Sequence, residues 1–95
     1  MEKMENQFNK ALRLLDFGKS EKASEILNEI IVEARKANET LYFIRASCVL
    51  GELLFSYGET DTARLHLTNV VNTTYENDVV DYEKSIASKI LRQIE

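Results

Sequence analysis

Laid over itself with a shift of 40 residues, the chain matches at the positions that decide how helices meet. Leu14 falls on Leu54, Leu15 on Phe55, Phe17 on Tyr57 and Gly18 on Gly58. Ser20 falls on Thr60, Glu21 on Asp61, Ala23 on Ala63, Leu27 on Leu67, Ile30 on Val70 and Ile31 on Val71. Ala11 meets Gly51, so a small residue recurs where two helices would touch. Gly18 and Gly58 can take the left-handed backbone that ends a helix. The apolar positions between them follow the helical spacing of three and four. A helix pair repeated in this way is the mark of an α-solenoid, in which each unit needs its neighbour to bury its apolar face.

The rest of the chain fits helices only. The sequence has three glycines and no proline, which favours uninterrupted helices. A first helix carries Phe8, Ala11, Leu12, Leu14, Leu15 and Phe17, and Gly18 stops it. Ser20 is placed to cap a second, with Ala23, Ile26, Leu27, Ile30, Ile31 and Ala34 inward. A third covers about residues 40–57, and Gly58 stops it. Thr60 or Asp61 is placed to cap a fourth, with Ala63, Leu67, Val70 and Val71 inward. Asn77 and Asp78 form the expected turn. A fifth helix puts Tyr82, Ile86, Ala87, Ile90, Leu91 and Ile94 on one stripe. No segment alternates with the period of a strand. The expected architecture is one all-α domain over residues 1–95. Repeat one spans about 4–38, repeat two about 40–77, and a capping helix about 79–94.

The third helix, "LYFIRASCVLGELLFSY", is apolar on nearly every side, unlike a surface helix with one apolar stripe. A central position explains this, with Tyr42, Ala46, Val49, Leu50, Leu53, Leu54 and Tyr57 in the core.

The segment "VLGELLFSYGETDTARLHLTNVV" resembles a tetratricopeptide repeat. Leu50–Gly51, Leu54, Gly58, Ala63 and Leu67 stand at the family's signature positions, and Ala11, Leu14, Gly18, Ala23 and Leu27 repeat them more loosely. The resemblance covers roughly residues 4–77. The unit is longer than the family's usual length of about 34 residues. Its tryptophan position holds Gln7 and Ser47, and its closing proline is absent. The resemblance implies a short right-handed stack of two helical hairpins plus a cap, with the first helix of each hairpin lining a concave face. That face would carry Glu5, Phe8, Leu12 and Leu15, then Arg45, Cys48, Glu52 and Phe55. The implied role is non-enzymatic binding of a protein or peptide through Phe8, Leu12, Leu15, Arg45, Cys48, Glu52 and Phe55. The Lys and Asn pairs with which some relatives hold a peptide carboxylate are missing, so that specificity is not carried over.

Composition narrows the alternatives. A net charge of −4 lacks the basic face that nucleic acid demands. No apolar run is long enough to span a membrane, and the charged start "MEKMENQFNK" has no signal-peptide core. One cysteine excludes an internal disulfide and suits the cytoplasm. His66 has no partner at metal-ligand spacing, and no phosphate loop is present, so neither metal nor cofactor is expected. Glu25, Glu29 and Glu33 form a row expected to face water. Two other readings stay open: a homodimer that covers its apolar helix faces by self-association, and a small cytosolic immunity-type or regulatory helical protein.

Overall fold

The computed structural model describes residues 2–76 and 78–94. It is all-α: α1 Glu2–Asp16, α2 Ser20–Ala37, α3 Thr40–Ser56, α4 Thr60–Asn72 and α5 Asp81–Ile94, with a 3₁₀ turn at Asp78–Val80 before the last helix. Of the expected turn at Asn77 and Asp78, Asp78 opens the 3₁₀ turn and Asn77 lies outside the described residues.

The first three junctions are built alike. Gly18, Asn38 and Gly58 take positive φ of 77°, 56° and 80°. Each is followed by a residue near φ −90° and ψ 70°, namely Lys19, Glu39 and Glu59. The amides of those residues donate back to Leu14, Ala34 and Leu54 carbonyls at 2.8, 2.9 and 3.0 Å. Their own carbonyls accept from Ala23, Phe43 and Ala63 at 3.1, 3.1 and 3.0 Å, which starts the next helix at once. Backbone groups thus close the end of one helix and open the next. The caps expected from Ser20 and from Thr60 or Asp61 are therefore corrected. Ser20 and Thr60 are the first helical residues, and no cap side chain bonds the backbone at Lys19, Glu39 or Glu59.

Two buried clusters share α3. One gathers Ala11, Leu27, Ile30, Ala34, Tyr42, Ala46 and Leu50 from α1, α2 and α3. The other gathers Ile44, Cys48, Ala63, Leu67, Val70, Val80 and Ala87 from α3, α4 and α5. Burial on both flanks explains the apolar composition of α3. Val49, Leu53 and Leu54 are half-buried rather than enclosed. Two expected core residues are corrected: Tyr57 is 58 % exposed and Tyr82 71 % exposed. Tyr57 sits past the end of α3, so the helical period no longer governs it. On α5, Ile86, Ala87, Ile90, Leu91 and Ile94 pack on the body, and Tyr82 in the first turn is left outside.

The repeat shows where the stack stops being apolar. Tyr42, Ala46, Val49 and Leu50 pack against the first hairpin. Forty residues earlier stand Glu2, Asn6, Asn9 and Lys10, all exposed. That side of α1 is polar because no helix covers it. Ala11 and Gly51 are both buried at the close approach within each hairpin. A Cβ added to Gly51 would lie 2.6 Å from Leu67 Cγ and Cδ2, so α3 and α4 meet closely through that residue.

His66 on α4 is half-buried, and its Nδ1 is enclosed without a hydrogen-bond partner. Burial, reinforced by Arg35, lowers its pKa below the ordinary value of 6.5. The neutral ring is therefore the form that fits the fold. Stability is full above pH 6.5 and falls as pH drops below it, because the unfolded chain takes up the proton first. We expect Tm to decline from about pH 6.5 downward and His66→Leu to flatten that slope. Equal slopes in wild type and variant would refute this assignment.

A candidate interaction face on α1 and α3

On α1, Leu12 and Leu15 are half-exposed and join neither buried cluster. They arise from the helical spacing that also buries Ala11 and half-buries Phe8. On a helix, Glu5 and Asp16 fall on the same side as Leu12, and both are exposed. On α3, the matching positions hold Arg45 and Glu52.

Aromatic and ionic contacts tie this face to both of its neighbours. The Phe8 ring meets Tyr42 edge-to-face at 5.8 Å. The Arg45 guanidinium lies 5.8 Å from the Tyr42 ring centre, on its far side in sequence toward α5. It also pairs with Glu83 of α5 at 3.6 Å. The Cys48 thiol donates to the Glu83 carbonyl at 3.7 Å. A line of contacts thus runs Phe8–Tyr42–Arg45–Glu83 across α1, α3 and α5.

The seven residues proposed from sequence separate into three groups. Phe8, Leu12 and Leu15 on α1 and Arg45 and Glu52 on α3 remain at or near the surface. Phe55 is half-buried and packs with the α4–α5 cluster. Cys48 is a correction: it is 2 % exposed, because α5 lies over it, and it cannot touch a partner. Its thiol pKa is pushed up to about 12, chiefly by burial, with Glu52 and Glu83 adding their negative charge. The thiol is thus protonated and unreactive at neutral pH. Glu52 projects into water, but partial desolvation of its carboxyl raises its pKa above the ordinary carboxylate value.

Two other openings lie elsewhere. A cleft of about 610 Å³ separates the start of α1 from the second half of α2, lined by Lys3, Met4, Gln7, Asn28, Glu29, Val32 and Glu33. Sequence reasoning passed over it. Its one signal is Val32, an apolar residue between exposed glutamates and 52 % exposed. A smaller recess near the α2–α3 junction includes Arg35, Asn38 and Phe43, with Arg35 5.1 Å from the Phe43 ring centre. Among the described residues, no group of three His, Cys, Asp or Glu is arranged to hold a metal ion, and no helix is long and apolar enough to cross a membrane.

Comparison with protein-family models, curated proteins and solved structures finds no match to this chain.

Proposed function

We propose that this chain is a non-enzymatic protein-interaction module of tetratricopeptide-like build, which docks a partner peptide or helix on the face shared by α1 and α3. The observation that carries the reading is the pair Leu12 and Leu15, half-exposed side by side and left out of both clusters. Contiguous apolar surface left open to water is the usual mark of an interaction site. The 40-residue repeat and the like junctions at Gly18, Asn38 and Gly58 support two stacked hairpins with α5 as a cap. Phe8, Leu12 and Leu15 supply apolar contact and Glu52 supplies charge, while Arg45 is held by Glu83 of α5. Phe55 supports the face from beneath. A cytoplasmic location goes with this reading, from the acidic, single-cysteine composition.

The test compares wild type with Leu12→Ser/Leu15→Ser. The double variant is expected to keep the helical circular-dichroism signal and to lose the protein that wild type captures from a lysate. Light scattering on both samples tells a foreign partner from a second copy. Undiminished capture by the variant would move the docking surface elsewhere.

A further inference from the structure

The charges around Leu12 and Leu15 specify what kind of segment fits there. Arg45 and Glu52 stand two helical turns apart on α3, and Glu83 faces Arg45 from α5. Arg45 is held by Glu83, whose side chain is 16 % exposed, so that pair is spent within the fold. Glu52 makes no ion pair among the described residues. Its carboxyl is partly stripped of water without compensation, a state that a cation from outside would relieve. On α1 the residues beside Leu12 are Glu5 and Asp16, both exposed and neither in an ion pair among the described residues. Of the exposed cations of α1, Lys3 and Lys10 fall on other sides of that helix, and Arg13 stands one turn from Asp16 without a salt bridge to it. Helix α5 carries Lys89 and Arg92, exposed, and neither pairs with Glu52. The face that α1 and α3 present therefore holds two leucines, with Glu5 and Asp16 on the same side of α1 and the exposed Glu52 at the position of α3 that matches Leu12.

We infer that the segment docking on this face is an amphipathic helix whose apolar stripe is bordered by Lys or Arg, with one of those cations seated over Glu52. The inference rests on the docking reading above and adds the chemistry of the partner. The leucines supply an apolar floor of the kind that takes helix anchors at i, i+3 or i+4 and i+7. The carboxylates select the flanks of that helix and disfavour an acidic one.

The probe is a displayed library of 15-residue helices that share a leucine stripe and vary at two flanking positions among Lys, Arg, Gln, Glu and Asp. Selection is run on wild type, Glu52→Lys and Leu12→Asp, each checked by circular dichroism. Wild type is expected to enrich Lys or Arg flanks roughly tenfold over Glu or Asp, the size of one favourable charge contact of about 1.4 kcal/mol. Glu52→Lys is expected to abolish or invert that preference, and Leu12→Asp to abolish enrichment altogether. Helices selected by their leucines with no charge preference, or with the same preference on Glu52→Lys, would overturn the inference and leave the docking face standing. Enrichment that survives Leu12→Asp, or none on wild type, would overturn the docking face itself.

Discussion

Leu67→Ala is expected to cost about 2–5 kcal/mol and to lower Tm by roughly 10 °C or more. Leu67 is fully buried, and its branch fills the space against Gly51 where α3 and α4 cross. Truncation leaves a void that two helices fixed by a short junction at Gly58 cannot close. The sharper expectation concerns the pair. In the wild-type background Gly51→Ala forces its Cβ to 2.6 Å from Leu67 Cγ, an overpacking that outweighs the helix propensity alanine brings. In the Leu67→Ala background the same substitution has room, fills part of the void and is expected to raise stability by about 1 kcal/mol. Thermal melts of the four proteins measure this coupling. A Gly51→Ala effect of the same sign in both backgrounds would refute the close crossing.

Phe55→Asp is expected to lose more than about 2 kcal/mol, since it puts a charge among apolar side chains. The Phe55 ring packs with the cluster that joins α4 to α5, and the new carboxylate would stand one helical turn from Glu52. Phe17→Asp is the matched control. Phe17 is 77 % exposed beyond the end of α1, and its replacement is expected to stay within about 0.5 kcal/mol. A melt for Phe55→Asp as mild as that of Phe17→Asp would return Phe55 to the open face and enlarge the docking surface.

The helices were legible because their signals are local. Gly18 and Gly58 sit where α1 and α3 give way to turns, and both take the left-handed backbone that their identity allows. Asn38 does the same work between the hairpins, where the sequence offers Asn38 or Thr40 as the end of the second helix, and Asn38 is the one with the left-handed backbone. The interior positions Ala11, Ala23, Leu27, Ala63 and Leu67 are all fully buried, as their repeated spacing required. What escaped was the rotation of one helix against another. Periodicity gives α5 an apolar stripe but not the angle at which it meets α3. Ile86, Ala87, Ile90, Leu91 and Ile94 of that stripe pack as expected, while Tyr82 is left outside and Cys48 is covered. Leu12 and Leu15 were legible as candidate face residues because their half-exposure follows from α1 being the outermost helix. The cleft at Met4 and Val32 was not, because it comes from two helices diverging along their length.

The sharing of α3 by both buried clusters also governs how the chain gains and loses its structure. The backbones of α1 and α2 approach neither that of α4 nor that of α5 among the described residues, and each close packing joins helices that are neighbours or next neighbours in the chain. Ordering therefore proceeds through short loop closures, the regime of rapid folding for small helical domains. Apart from the charge of Arg35 on α2 acting on His66 of α4, the two halves communicate through α3. Exchange of amide hydrogens should be slowest along α3, and loosening of the first hairpin should leave the amides of α4 and α5 protected as long as α3 stays in place.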